Sequence, residues 1–261
     1  MSPPNADLRL RIVDLVCAGG GGHIPSSFSI VDILDSVYYH YIKTQDCNLV
    51  KQPDYTFTLS KGHAACALYS VLHKYGYLTS TTLETYLQYS SILGGHPDST
   101  KVPGAEASTG SLGHGLSFTV GRALAAKITG SPKKFFVLVG DGECHEGTIW
   151  ESAIVANNLG LDNLIVLVDY NKSSDQICAH NSLIEQFKAF GWYCLEADGH
   201  KPDVIHTALE NALDSSSNKP RVIVFNTIKG YGVPMLEGHG PWHYKIPNSE
   251  ELVIIREALN S

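Results

Sequence analysis

The sequence predicts an α/β fold: a mainly parallel sheet with helices on both faces. Two observations predict it. Apolar runs at 135–139, 164–168, 192–196 and 221–226 alternate with helix-length segments near 147–159, 182–190 and 202–214, the pattern of strands joined through crossover helices. The runs ending at Val139 and Val168 each lead straight into polar residues, Gly140-Asp141-Gly142 and Asp169-Tyr170-Asn171, so parallel strands would present both groups at one sheet edge.

The elements follow in order. Leu8 to Cys17 repeats apolar residues at helical spacing and stops in the run Gly19 to Gly22. A second helix is expected from Ile30 to about Tyr41, then a strand from Tyr55 to Leu59 leading into a turn at Lys61-Gly62-His63 and a helix to about Tyr75. A loop from Gly94 to Gly110 precedes a helix from Leu116 to Ile128. Gly230 to Pro247, rich in Gly, Pro, His and aromatics, reads as a long ordered loop over a site, and a last helix covers about 249–259.

A chain of 261 residues can bury a full core. Its formal charge of −7 is the opposite of a nucleic-acid footprint, which would be a basic face. The six cysteines, at 17, 47, 66, 144, 178 and 194, form no Cys-x-x-Cys pair and no disulfide-like framework, so a reducing compartment is expected. Met1 to Asp7 has no signal-like segment and no apolar stretch approaches membrane-spanning length. The expectation is a soluble, cytoplasmic protein that binds neither nucleic acid nor membrane.

The most specific signal is Gly140-Asp141-Gly142-Glu143-Cys144-His145-Glu146-Gly147, with Asn171 thirty positions after Asp141. A diphosphate is neutralised by a hard divalent cation, which takes carboxylate, amide and backbone oxygens. Asp141 and Asn171 supply the first two kinds. Gly140 and Gly142 would let the backbone approach the phosphates, and a helix starting near Gly147 would turn its N-terminus toward them. Short glycine motifs are often ordinary turns; the spacing between two strand ends is what lifts this one above that reading.

Four histidines, His23, His63, His96 and His243, sit in loops, three of them beside glycine. Such residues can contact phosphate, orient a sugar hydroxyl or move protons near neutral pH, or simply be solvated. His40, His73, His200 and His206 fall outside any motif and read as structural. Lys229 follows the last strand, as a phosphate-side lysine or a solvated one. Glu146 and Glu151 stand at the start of a helix, where acids are favoured in any case.

The Gly140 to Asn171 unit resembles the thiamine diphosphate signature, and specifically that of transketolases. Gly22-His23-Ile24-Pro25-Ser26-Ser27, Leu59-Ser60-Lys61-Gly62-His63-Ala64, Gly94-Gly95-His96-Pro97 and Ser108-Thr109-Gly110-Ser111-Leu112-Gly113-His114-Gly115 resemble transketolase segments in the same order. The match runs from about residue 7 to the C-terminus.

The resemblance implies that residues 1–261 are one thiamine diphosphate-binding domain of a split transketolase. The pyrimidine-binding and C-terminal domains would lie on a partner chain, in an α2β2 heterotetramer. It implies ketol transfer between sugars or sugar phosphates, with Mg²⁺ (or Ca²⁺ or Mn²⁺) held by Asp141, Asn171 and the Ser173 carbonyl. His63, Gly110, Leu112, Gly140, Asp141, Gly142, Glu143, Asn171 and His243 would bind the cofactor. His23, His63, His96 and His243 would line the channel over the thiazolium, while Glu146 and Glu151 would relay protons between two cofactor sites. The glutamate that activates the cofactor in this family has no counterpart here and would come from the partner.

This sequence departs from the family pattern in three places. His114 stands where glutamine is usual, Lys172 to Gln176 replaces an apolar residue and Asp-Gly, and Ile24 replaces proline before Ser26 and Ser27, with an expected effect on sugar recognition. Only five arginines occur, at 9, 11, 122, 221 and 256, none in a motif, which leaves open whether a substrate phosphate is gripped by the partner or is absent. Other readings are a deoxyxylulose phosphate synthase-like or 2-oxo acid dehydrogenase-like component, or a non-catalytic partner of the same fold.

Overall fold

Strands that are apolar at nearly every position cannot leave a face in water, and the computed structural model buries both faces. The structure describes residues 2–42, 54–214, 216–238 and 240–260; Cys47 lies outside them, and the other five cysteines are free. Five strands, β1 (Tyr55–Leu59), β2 (Lys134–Gly140), β3 (Leu164–Tyr170), β4 (Tyr193–Asp198) and β5 (Arg221–Asn226), form a sheet of order β1-β2-β3-β5-β4. Every pairing is parallel, and Gly140 lies opposite Asp169 in the register.

Successive side chains along each strand go to opposite faces. Phe136, Leu138, Ile165, Leu167, Ile223 and Phe225 join one core, with α1 (Ala6–Gly19), α2 (Ile24–Phe28), α3 (Val31–Val37), α4 (Ala65–Lys74), α9 (Pro202–Asp214) and α10 (Ser249–Asn260). The alternate residues Phe135, Val137, Val139, Leu164, Val166, Val168, Val222 and Val224 join a second core with α6 (His114–Ile128), α7 (Gly147–Asn158) and α8 (Leu183–Ala189). Helices therefore cover both faces. Truncating a fully buried ring such as Phe136 to alanine would cost about 3–5 kcal/mol.

The expected strands and long helices are present to within a few residues. The helix expected from Ile30 to Tyr41 widens at Tyr38–Ile42 into a π-turn. Two short helices escape the sequence pattern, α2 and α5 (Ser80–Leu83), since neither is long enough to show a helical period. All five residues of α2 are buried. After Asp141 the chain makes a 3-10 turn, Gly142–His145, before α7 starts. The start of α7 packs on Gly113, whose φ of 82° suits glycine and where a Cβ would collide with the Thr148 hydroxyl.

Candidate active site

Because all strands are parallel, their C-terminal ends open onto one edge, and the polar residues collect there. Ser60 and Lys61 follow β1, Asp141 follows β2, Asp169 and Asn171 close β3, and Thr227 to Lys229 follow β5.

The base of the site is an ion pair. Lys61 Nζ lies 2.5 Å from Asp169 Oδ2 and 3.2 Å from the Ser26 carbonyl, and both side chains are almost wholly buried. Asp169 also accepts from Ser29 Oγ (2.8 Å), Thr227 Oγ1 and Asn171 Nδ2 (2.9 Å). Burial alone would push the Asp169 carboxyl up, but the Lys61 charge and these hydrogen bonds outweigh it and hold the pKa below the usual carboxylate range.

Above that base stand the two expected metal ligands. Asn171 spends its amide nitrogen on Asp169, and its Oδ1 accepts from the Ser173 N–H at 3.0 Å with a lone pair to spare. Asp141 Oδ1 accepts from the Gly142 N–H at 2.7 Å, while its Oδ2 is buried with no hydrogen-bond partner. Burial, then the charge of Asp169, push the Asp141 carboxyl up. A buried carboxylate oxygen left without a donor suits a cation, and with the Asn171 oxygen it makes the all-oxygen set that Mg²⁺ or Ca²⁺ takes. Ser173 lies beside both, its own hydroxyl also buried and unpartnered.

Glu143 is turned inward. Its carboxylate accepts from Ser60 Oγ, the Gly113 N–H (2.8 Å) and the Gly140 N–H (3.1 Å), so it fastens the ends of β1 and β2 to the start of α6. The Gly140 N–H is thereby used within the protein, and the exposed Gly142 N–H is used by Asp141.

The histidines gather on the other side. The His23 ring meets His63 at 5.1 Å and His243 at 5.0 Å, edge to face, and His63 lies 6.4 Å from His243. Burial, then the neighbouring Lys61 charge, lower His63 to about 2. Burial, then His243 and His96, lower His23 to about 4. Both rings are neutral at neutral pH, able to accept at one nitrogen and donate at the other. His96 is exposed, its ring 3.2 Å from where a Gly110 Cβ would stand, and the Tyr69 hydroxyl donates to its backbone carbonyl. Lys229 Nζ sits 3.3 Å from His243 Nδ1; burial and then Lys61 lower its pKa, as expected of a cation awaiting an anion.

Over residues 5–260 the chain matches the family model described as "Transketolase, thiamine diphosphate binding domain". The chain belongs to the transketolase family. Thiamine diphosphate is that family domain's cofactor, and ketol transfer its chemistry. The chain is 36% identical over 249 residues to an apulose-4-phosphate transketolase subunit from Phocaeicola vulgatus, covering 93% of this chain and 88% of the relative. To the corresponding apulose-4-phosphate transketolase subunit from Actinobacillus succinogenes it is 38% identical over 259 residues, covering 97% and 93%. The solved transketolase of Campylobacter jejuni superposes with a TM-score of 0.88 at 31% identity, covering 98% of this chain and 42% of that one. The chain thus spans less than half of such long transketolases. It is a transketolase-type component with the thiamine diphosphate-binding fold.

Within this frame, Asp141, Asn171, Ser173, His23, His63 and His243 come together at one sheet edge, and His96 and Gly110 flank them. Leu112 is half-buried in the turn before α6, where the His114 ring folds back on the Leu112 carbonyl. Glu146, which precedes α7, and Glu151 on it are both exposed, and among the described residues no hydrogen bond or ion pair joins them to the cluster. No helix of the described residues is long and apolar enough to cross a membrane.

Four contributors escape a reading of the sequence. Lys61 and Asp169 lie within the motifs without a role of their own there; an aspartate inside a buried apolar strand is the available signal. His180 lies in the altered loop after Asn171, with Nε2 2.9 Å from the Asp141 carbonyl and its ring stacked on His145 at 4.1 Å. His200, which reads as structural, is a buried link: its ring contacts Asp32 Oδ2 (3.0 Å) and accepts the Ile228 N–H (2.8 Å), fixing the loop that carries Lys229.

Proposed function

We propose that this chain is the cofactor-binding subunit of a two-chain transketolase that moves a two-carbon ketol unit from a ketose to an aldose. Asp141, Asn171 and the Ser173 carbonyl hold a divalent cation, by preference Mg²⁺, on the diphosphate. The observation that carries this is the buried, unpartnered Asp141 Oδ2 beside Asn171, with Lys61 and Lys229 supplying positive charge nearby. Bound there, thiamine diphosphate would supply the nucleophilic carbon that carries the ketol unit between the two sugars.

The chain's own residues bind, orient and handle protons. Neutral His23 and His63 accept or return a sugar hydroxyl proton, and His96 and His243 complete the channel. Lys229 and His243 face the diphosphate. Residues 1–261 act as a single domain in this reading, and the activating carboxylate comes from a partner chain in an α2β2 assembly. The naming of the bacterial relatives as subunits and the length of the single-chain transketolases favour such a partner. We place the enzyme in the cytoplasm.

The sugar is approached through the cations. Arg9 pairs with Asp32, Arg122 with Glu106 and Arg256 with Asp14, Arg221 binds backbone carbonyls, and Arg11 lines a groove with Asp14 and Glu84. In this reading any anionic end group of the substrate, such as the phosphate named for the relatives' substrate, is assigned to the partner.

The test is a reconstitution. The chain, co-purified with its partner subunit, should show turnover of a ketose with an aldose that requires both thiamine diphosphate and Mg²⁺. The chain alone should show none. Full turnover by the single chain, or a complex indifferent to cofactor and metal, would overturn the reading.

A further inference from the structure

The run Gly19 to Gly22 exceeds what ending a helix needs, since Gly20, with φ 74°, alone caps α1. Two tyrosines account for neighbouring glycines. A Cβ on Gly19 would come within 2.6 Å of the Tyr86 ring, and one on Gly21 within 2.5 Å of the Tyr244 hydroxyl. Tyr244 ends the 3-10 turn Pro241–Tyr244 directly after His243, and its ring lies 4.9 Å from His23 at 61°. His23 is thus walled by three rings: His63, His243 and Tyr244.

Tyr244 is 59% exposed, so this wall faces the open side of the site. Its hydroxyl makes no hydrogen bond among the described residues, and a phenol can both donate and accept. The two cations of the site, Lys61 and Lys229, are drawn to Asp169 and His243. What remains beside His23 is a neutral hydrogen-bonding group on a ring held by edge contacts. A group that both donates and accepts suits a sugar hydroxyl.

We propose that Tyr244 determines sugar specificity by hydrogen-bonding a hydroxyl of the sugar as it lies against His23. The proposal rests on the transketolase reading above. A site built to bond a hydroxyl discriminates against sugars lacking it, and the ring itself limits the width of the channel.

The test uses the chain with its partner subunit, loaded with thiamine diphosphate and Mg²⁺, a ketose donor and aldoses of differing length. Tyr244→Phe should raise KM for one of the two sugars about tenfold, the loss of one hydrogen bond, while the cofactor Kd from calorimetry stays at the wild-type value. Tyr244→Gly should in addition narrow the preference between short and long aldoses. An unchanged KM in Tyr244→Phe overturns the proposal. A matching loss of cofactor affinity also overturns it, by moving Tyr244 to the cofactor. A wild-type complex without cofactor-dependent turnover overturns the underlying reading and this one with it.

Discussion

Lys61 reaches from the end of the edge strand β1 past Gly140 to Asp169 on the central strand β3, with Nζ 2.5 Å from Oδ2. The pair spans the end of β2 and lies beneath the candidate metal ligands. Asp169 also receives the Asn171 amide nitrogen, so the ion pair decides which way Asn171 presents its oxygen. Fold stability and the proposed metal site therefore share one buried charge.

Lys61→Met would leave Asp169 charged, buried and without its cation, at a cost of about 3–5 kcal/mol in urea denaturation. Adding Asp169→Leu should recover much of that stability, since the uncompensated charge is gone. It should not recover cofactor binding, because Asn171 has lost its anchor. Calorimetry on the double variant checks this, and wild-type affinity there would refute the positioning role.

Asp141→Asn separates function from stability in the opposite direction. The Asp141 carboxyl is pushed up by burial and by Asp169, so its charge destabilises the cofactor-free fold at neutral pH. Removing that charge should stabilise the cofactor-free protein by on the order of 1 kcal/mol while abolishing Mg²⁺-dependent cofactor binding. Thermal melts with and without Mg²⁺ and cofactor read both effects.

How much of the site is legible in the sequence follows from range. Asp141, Asn171 and the strands that carry them are readable, because a strand end fixes where the next residue goes. The histidines are readable as loop residues with a family likeness. Lys61–Asp169 is not readable as a pair, since the partners stand 108 positions apart and meet only through the strand order β1-β2-β3. Tyr244 stands next to His243 in the chain, yet its role is hidden there, because its neighbours His23 and Gly21 come from the other end of the sequence. The inward turn of Glu143 is hidden for the same reason: its donors come from three separate segments.

The histidine cluster makes stability depend on pH. His23 at about 4 and His63 at about 2 both lie below their ordinary 6.5, so the unfolded chain binds more protons than the folded one under mildly acidic conditions. Their neutral forms contribute stability fully above about pH 6.5, and that contribution is lost as pH falls, levelling off near 4 for His23 and continuing for His63. His96, His243, Lys61 and Lys229 surround them with like charge and deepen the effect. Urea unfolding at pH 7.5 and 5 should show a lower midpoint at pH 5, and His63→Asn should reduce the difference.

His200 tests whether the lysine loop is held from behind. Its Nε2 accepts the Ile228 N–H, so the proton sits on Nδ1 and is donated to Asp32, which also binds Arg9 at 2.7 Å. Tyr231 stacks on the same ring at 3.7 Å. His200→Phe keeps an aromatic ring for Tyr231 but removes both hydrogen bonds, leaving the Ile228 N–H without its acceptor, at a cost of about 2–4 kcal/mol. Since Lys229 is the next residue, cofactor affinity should fall as well, although His200 touches no part of the proposed diphosphate site. Thermal melts and cofactor calorimetry on one preparation measure the two losses together. Lower stability with wild-type cofactor affinity would show that the loop keeps Lys229 in place without His200.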